Sequence, residues 1–215
     1  MLGIKHGQDV ESALRFRDKV LMKERLQSCG LEVPPFRAVN NAADIIEFVT
    51  EHGYPVVVKP RYAPLLPILV RSSHVSFRRG YGSVNTTVLR SYSDLEALFA
   101  KGFGVTSGLD PQLDLEVEKF ITGDFYHIDG LVHNNKTVFI WPSKYTNTVV
   151  DFQKNRYIAG YSLSPENPLT SRLQSFMNDC LMALEGAWFC LLIHSSNLVI
   201  RSIDIFIPRR GLAHA

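Results

Sequence analysis

Lys59 closes a continuous apolar run, Val56-Val57-Val58, and is followed by Pro60 and Arg61. A lysine in such a run is costly to bury without a purpose, so its ammonium reads as a fixed charge at a strand tip. A held cation suits an anionic ligand such as a phosphate chain, as do free backbone N–H groups. Gly80-Tyr81-Gly82-Ser83 could supply the latter, because glycine lets the backbone approach closely; the same residues also suit a plain hairpin turn. Acidic and imidazole groups come later: Glu116, Glu118, Asp124, His127 and Asp129. Alternation over residues 115–121 puts Glu116 and Glu118 on one side of a strand. Taken singly, Lys19 reads as a solvated surface charge, Glu116 as an edge-strand charge and His127 as a structural histidine.

The elements that must position these groups follow from periodicity and punctuation. Val10, Leu14, Val20, Leu21 and Leu26 predict a helix over 11–29, stopped at Cys29-Gly30. Pro34-Pro35 leads into a short strand, 36–39. Asn41 is the expected N-cap of a helix over 42–52, with Ile45, Ile46, Phe48 and Val49 facing inward and Gly53 ending it. Residues 54–60 form a buried strand. Residues 86–90 form another strand, and Ser93 caps a helix through Phe99. A strand at 115–121 precedes a hairpin of 126–132 and 137–141 around His133-Asn-Asn-Lys136. A helix from Thr170 presents Leu173, Phe176, Met177, Cys180, Leu181 and Leu184, and two strands near 187–193 and 198–205 follow. The fold class is mixed α+β with mostly antiparallel pairing.

Composition narrows the function. With 23 Lys+Arg against 21 Asp+Glu the net charge is +2. That provides no broad basic field for nucleic acid or a membrane surface, so phosphate binding must be local. Cys29, Cys180 and Cys190 show no metal-ligand spacing and suit a reducing compartment. Met1–Gly7 has no apolar h-region after it, and the apolar stretch 180–193 is short and contains Glu185. The expectation is a cytoplasmic protein.

Three motifs recur in order: Arg17-Asp18-Lys19 on a helix, Val56-Val-Val-Lys-Pro-Arg61 with a Gly/Ser turn after it, and Glu116-Val-Glu-Lys-Phe-Ile-Thr-Gly-Asp124 leading to Tyr126-His-Ile-Asp-Gly130. Together they resemble the ATP-grasp superfamily, and most of all its carboxylate–amine ligases, over about residues 13 to 205. The resemblance implies two α+β lobes with mostly antiparallel sheets sandwiching a nucleotide cleft. It divides the chain into a lead-in and helix (1–33), a small lobe (34–119) and a large lobe (120–215). It implies that Lys59, Lys19, Gly82 and Ser83 contact the phosphates of ATP. It makes Glu118, Lys119, Phe120 and Ile121 the hinge that reads adenine, and Asp124 the acceptor for the ribose hydroxyls. His127, Asp129 and Arg209 fall on the substrate side, where a small carboxylate or amino acid would bind. In such ligases a carboxylate attacks the γ-phosphoryl group, and an amine then attacks the acyl phosphate.

The sequence departs from that pattern in three places. The metal-site motif of the group reads roughly G-x-x-H-x-E, then E-I-x-x-R. Here Phe189 and Leu191 stand for its His and Glu, Asp204 replaces the second Glu, and Pro208 holds the place of the Arg, with Arg209 next to it. Leucine cannot bind a hard cation, so Mg²⁺ binding and phosphoryl transfer are expected to be weak. Residues 62–79 interrupt an otherwise intact KPR-GYGS sequence and read as a late insertion. Relatives also have an N-terminal domain and further chain after the metal strand. The alternatives are a nucleotide-binding protein impaired in catalysis, and an interaction module that uses Leu65–Val70 as a contact surface.

Overall fold

The computed structural model describes residues 10–61, 86–100, 115–133, 136–146, 157 and 159–185, and the backbone of 203–208. The expected turn at Gly82 and Ser83, the 62–79 insertion, Phe189, Leu191, Arg209 and the strand near 187–193 lie outside these residues. The chain forms two compact units: residues 17–20 with 34–120, and residues 1–16 and 21–33 with 121–215.

In the first of these units four antiparallel strands pair in the order β1-β4-β2-β3: β1 is Phe36–Val39, β2 Val56–Pro60, β3 Thr87–Leu89 and β4 Leu115–Lys119. Helix α3 (Ala42–His52) supplies Ile45 and Phe48 to a core that includes Val39, Val56, Val58, Leu89, Leu95, Leu115 and Val117. Ile46, expected inside, is 47% exposed, so the buried face is narrower than the apolar run suggests. Asn41 caps α3 by accepting from the Ala43 N–H at 2.8 Å, and Asp44 reaches back to the Asn41 N–H at 3.0 Å. This reciprocal arrangement satisfies donors that the first helical turn leaves open. Helix α4 (Tyr92–Ala100) begins one turn position earlier than expected. The Asp94 carboxylate accepts from the Arg90 and Ser91 N–H groups, and the Ser91 hydroxyl, not Ser93, accepts from the Asp94 N–H.

The other unit carries a second antiparallel sheet, ordered β7-β6-β5-β8: β5 is Gly123–His133, β6 Lys136–Tyr145, β7 Gly160–Ser162 and β8 Ile203–Pro208. Helix α5 (Pro168–Ala183) lays Leu173, Met177 and Leu181 on Tyr126, Ile128, Val132, Ile140 and Leu163. Its cap is Asn167, which accepts from the Leu169 N–H at 2.9 Å ahead of Pro168, so the helix starts before Thr170.

The single helix expected over 11–29 is two, α1 (Val10–Arg15) and α2 (Lys19–Ser28). Asp18 causes the break: its side chain accepts from the Val20 N–H at 2.9 Å, which makes a new N-cap, and it is fully buried against Arg61. The end of α2 is as expected. Gly30 adopts φ +80°, and the Gly30 and Leu31 N–H groups return to the carbonyls of Gln27 and Leu26, closing the helix. Among the described residues no helix is long and apolar enough to cross a membrane.

Candidate functional site

Lys59 is where the sequence places it, in β2 and one-fifth exposed. The β2–β4 register sets Lys59 directly opposite Glu116 and Val57 opposite Glu118. Since alternate residues share a face, Glu116, Glu118 and Lys59 project together. The Lys59 ammonium bonds to Glu118 Oε1 and lies 3.5 Å from Glu116 Oε1. Burial alone would lower the Lys59 pKa, but Glu118 and Glu116 outweigh it, and the pKa is raised above the ordinary lysine value. Glu116 is not an edge-strand charge. It is fully buried on β4, which lies between β1 and β2.

Lys19 is no solvated surface charge either. Its ammonium donates to the carbonyls of Pro60 at 2.7 Å and Arg61 at 3.3 Å, and its N–H donates to Arg61 O at 3.0 Å. Arg61 Nε in turn reaches both Asp18 oxygens, at 2.7 and 2.8 Å. The Arg17-Asp18-Lys19 and Lys59-Pro60-Arg61 motifs are thus tied together, and the bonds fix the chain just past Lys59.

At the end of β4, Lys119 donates to the carbonyls of His52, Gly53 and Tyr54 at 2.7, 2.9 and 3.2 Å. This side chain closes the C-terminus of α3, where a cation is favoured. The Lys119 and Phe120 N–H groups are used by the carbonyls of Pro35 and Pro55. Arg90 lies over the Phe120 ring at 5.3 Å.

The remaining expected groups belong to the unit built on β5. Ile121 is half-buried. Asp124 accepts from Lys144 at 2.8 Å, and Lys144 also lies 5.9 Å from the centre of the Tyr126 ring. That hydrogen bond to Asp124 is the main cause of a raised Lys144 pKa. His127 and Asp129 share the other face of β5, with Nε2 3.4 Å from Asp129 Oδ2. The imidazole packs on Tyr145, ring centres 4.6 Å apart, and Tyr145 also stacks on Phe125 at 4.9 Å. His127 Nδ1 is buried and makes no hydrogen bond among the described residues. The β5–β8 register pairs Asp204 with His127. Among the described residues no three His, Cys, Asp or Glu side chains come together as a metal site.

The expected groups therefore divide between the two units: Lys19, Lys59, Glu118, Lys119 and Phe120 belong to one, and Ile121, Asp124, His127, Asp129 and Asp204 to the other. Sequence reasoning missed Lys144, Tyr145 and the burial of Glu116. The alternation of the Ser143-Lys144-Tyr145 end of β6 opposite β5 is the signal that could have found the first two.

These two antiparallel sheets have the ATP-grasp fold, and the chain resembles the carboxylate–amine ligases built on it. No family model matches the chain. Among curated proteins, the L-arginine-specific L-amino acid ligase of Bacillus subtilis is 23% identical over 212 aligned residues, covering 96% of this chain and 47% of that protein. The carbamoyl phosphate synthase large chain of Thermotoga petrophila is 43% identical over 56 residues, 26% of this chain and 5% of that protein. Among solved structures, N5-carboxyaminoimidazole synthetase from Staphylococcus aureus complexed with ADP superposes with TM-score 0.62 at 17% identity, covering 94% of this chain and 43% of that one. The L-amino acid ligase from Bacillus licheniformis gives TM-score 0.58 at 16% identity, covering 94% and 40%. The chain thus spans about half the length, or less, of the relatives it matches.

Proposed function

We propose that this chain binds ATP as the nucleotide-binding part of a protein related to the ATP-dependent carboxylate–amine ligases. The observation that carries the reading is the buried-side lysine at the end of β2, held at Glu118 on the strand that leads into the hinge. Lys59 and Lys19 are the phosphate-side cations, Glu118 to Ile121 the adenine hinge, and Asp124 the ribose acceptor. His127 and Asp129 face a small carboxylate or amino-acid substrate, with Arg209 assigned to the same side. Gly82 and Ser83 complete the phosphate contacts. The solved relatives include complexes with ADP and with ATP, which supports a nucleotide as the ligand.

Magnesium fits this chain poorly. Asp204 is one carboxylate where relatives supply more, and Leu191 and Phe189 offer no oxygen to a hard cation. The proposed binding therefore rests on the chain's own lysines and backbone donors. The same substitutions favour a second reading, a nucleotide-binding protein with little phosphoryl transfer. Titration with ATP, with and without Mg²⁺, tests binding, and ADP release across a panel of amino acids tests catalysis. No thermal shift at millimolar ATP would remove both readings and leave an interaction module.

A further inference from the structure

Strand β6 carries aromatic rings where a solvated face would carry polar groups. Ile140 turns into the core beneath α5, so its neighbours Phe139 and Trp141 turn to the opposite face of the sheet. An antiparallel strand with one wet face ordinarily reads apolar inward and polar outward. Here the outward positions hold two rings whose planes are 9° apart and whose centres lie 6.4 Å apart. Phe139 is 46% exposed. The Trp141 indole Nε1 donates to the Leu163 carbonyl at 3.1 Å, which fixes the larger ring. The β5–β6 register sets Asp129 directly opposite Trp141. Side chains so placed share a face and come into contact range. The Asp129 side chain is 40% exposed, and His127 Nε2, 3.4 Å from it, is a counter-charge only when protonated. Among the described residues no lysine or arginine pairs with Asp129.

Resting on the reading of Asp129 as a substrate-side group, we propose that Asp129, Trp141 and Phe139 form a subsite for the cationic side chain of a basic amino acid. The carboxylate supplies the counter-charge. The ring faces attract a cation through their quadrupoles, tryptophan most strongly. A guanidinium is planar, weakly hydrated and stacks on rings, so two parallel rings suit it better than they suit a compact ammonium. A neutral side chain of the same shape gains neither interaction. The three residues are thus specificity-determining: they select charge on the substrate side chain.

Calorimetric titration of the native chain with L-arginine and with L-citrulline tests this. The two share their shape, α-ammonium and α-carboxylate groups, and differ in side-chain charge. An exposed ion pair and an exposed cation–π contact each contribute modestly, and together they are expected to make the dissociation constant for L-arginine about tenfold smaller. Asp129→Asn should remove most of that difference. Phe139→Ala should weaken L-arginine about threefold and leave L-citrulline nearly unchanged. Val138→Ala, an exposed truncation one residue away on the same strand, should change neither constant. Equal binding of the two amino acids by the native chain would overturn the proposal and give Asp129 to the α-ammonium group. A preference for L-arginine that persists undiminished in the folded Asp129→Asn chain would overturn it too. Titration of the same native chain with ATP separates this result from the nucleotide reading. ATP binding without discrimination between the amino acids sinks the subsite alone, and failure to bind ATP or either amino acid sinks both.

Discussion

At the scale of single residues, Lys59 answers two demands at once. Its alkyl stem lies in an apolar strand, and its ammonium bonds to Glu118 and lies 3.5 Å from Glu116 on the neighbouring strand. The raised pKa of Lys59, and that of Lys144 beside Asp124, means the folded protein holds these protons more tightly than the unfolded chain does. Their stabilisation is therefore complete below the ordinary lysine value, about 10.4, and is lost as pH climbs through the raised folded value. Urea unfolding followed from pH 8 upward should show stability declining only above about pH 10. Lys144→Met should flatten part of that decline, and an unchanged alkaline slope would remove Lys144 from the account. Asp18 makes a second residue-scale case. It is fully buried and answers both Arg61 and the Val20 N–H. Removing one partner of a buried pair leaves the other unanswered, so Asp18→Ala should cost about 3 kcal/mol in a denaturant melt. A loss within experimental error would mean Arg61 finds another partner.

The elements were legible where their determinants are local. Helix α3 could be read from Asn41 and the spacing of its apolar residues because the capping bonds lie within four residues. Asn41→Ala should lower stability by about 1 kcal/mol, while Asn40→Ala, whose side chain takes no part in that cap, should change it by less than about 0.5 kcal/mol. Equal effects at the two positions would contradict the capping assignment. The end of α2 was readable for the same reason: Gly30 acts on its immediate neighbours. Long-range determinants were hidden. The break between α1 and α2 depends on Arg61, 43 residues from Asp18. The burial of Glu116 is hidden too, because strand order, which places β4 between β1 and β2, is not written in the alternation of β4 itself. At the starts of α4 and α5 several capping residues stood close together, and tertiary geometry selected Ser91 with Asp94, and Asn167 ahead of Pro168.

For the molecule as a whole, each unit has its own apolar core and its own cluster of chemistry-bearing residues. Lys59 and Glu118 belong to one unit and Asp124 to the other. What periodicity could not give was the burial of Glu116. The proposed weakness of metal binding belongs to this scale too, because phosphoryl transfer needs every charge in place. ADP release on an amino-acid panel is expected to be low, and Leu191→Glu is expected to raise the Mg²⁺-dependent part of ATP affinity. An unchanged affinity would mean that Leu191 does not occupy the metal-ligand position.

The most direct test of the central claim is isothermal titration calorimetry of ATP into the native chain and into Lys59→Gln, with circular dichroism confirming that both are folded. The account predicts saturable binding by the native chain and a dissociation constant at least about tenfold larger for the variant, the loss of one charge-assisted contact to phosphate. The absence of binding by the native chain at millimolar ATP, or equal binding by both folded chains, would contradict it.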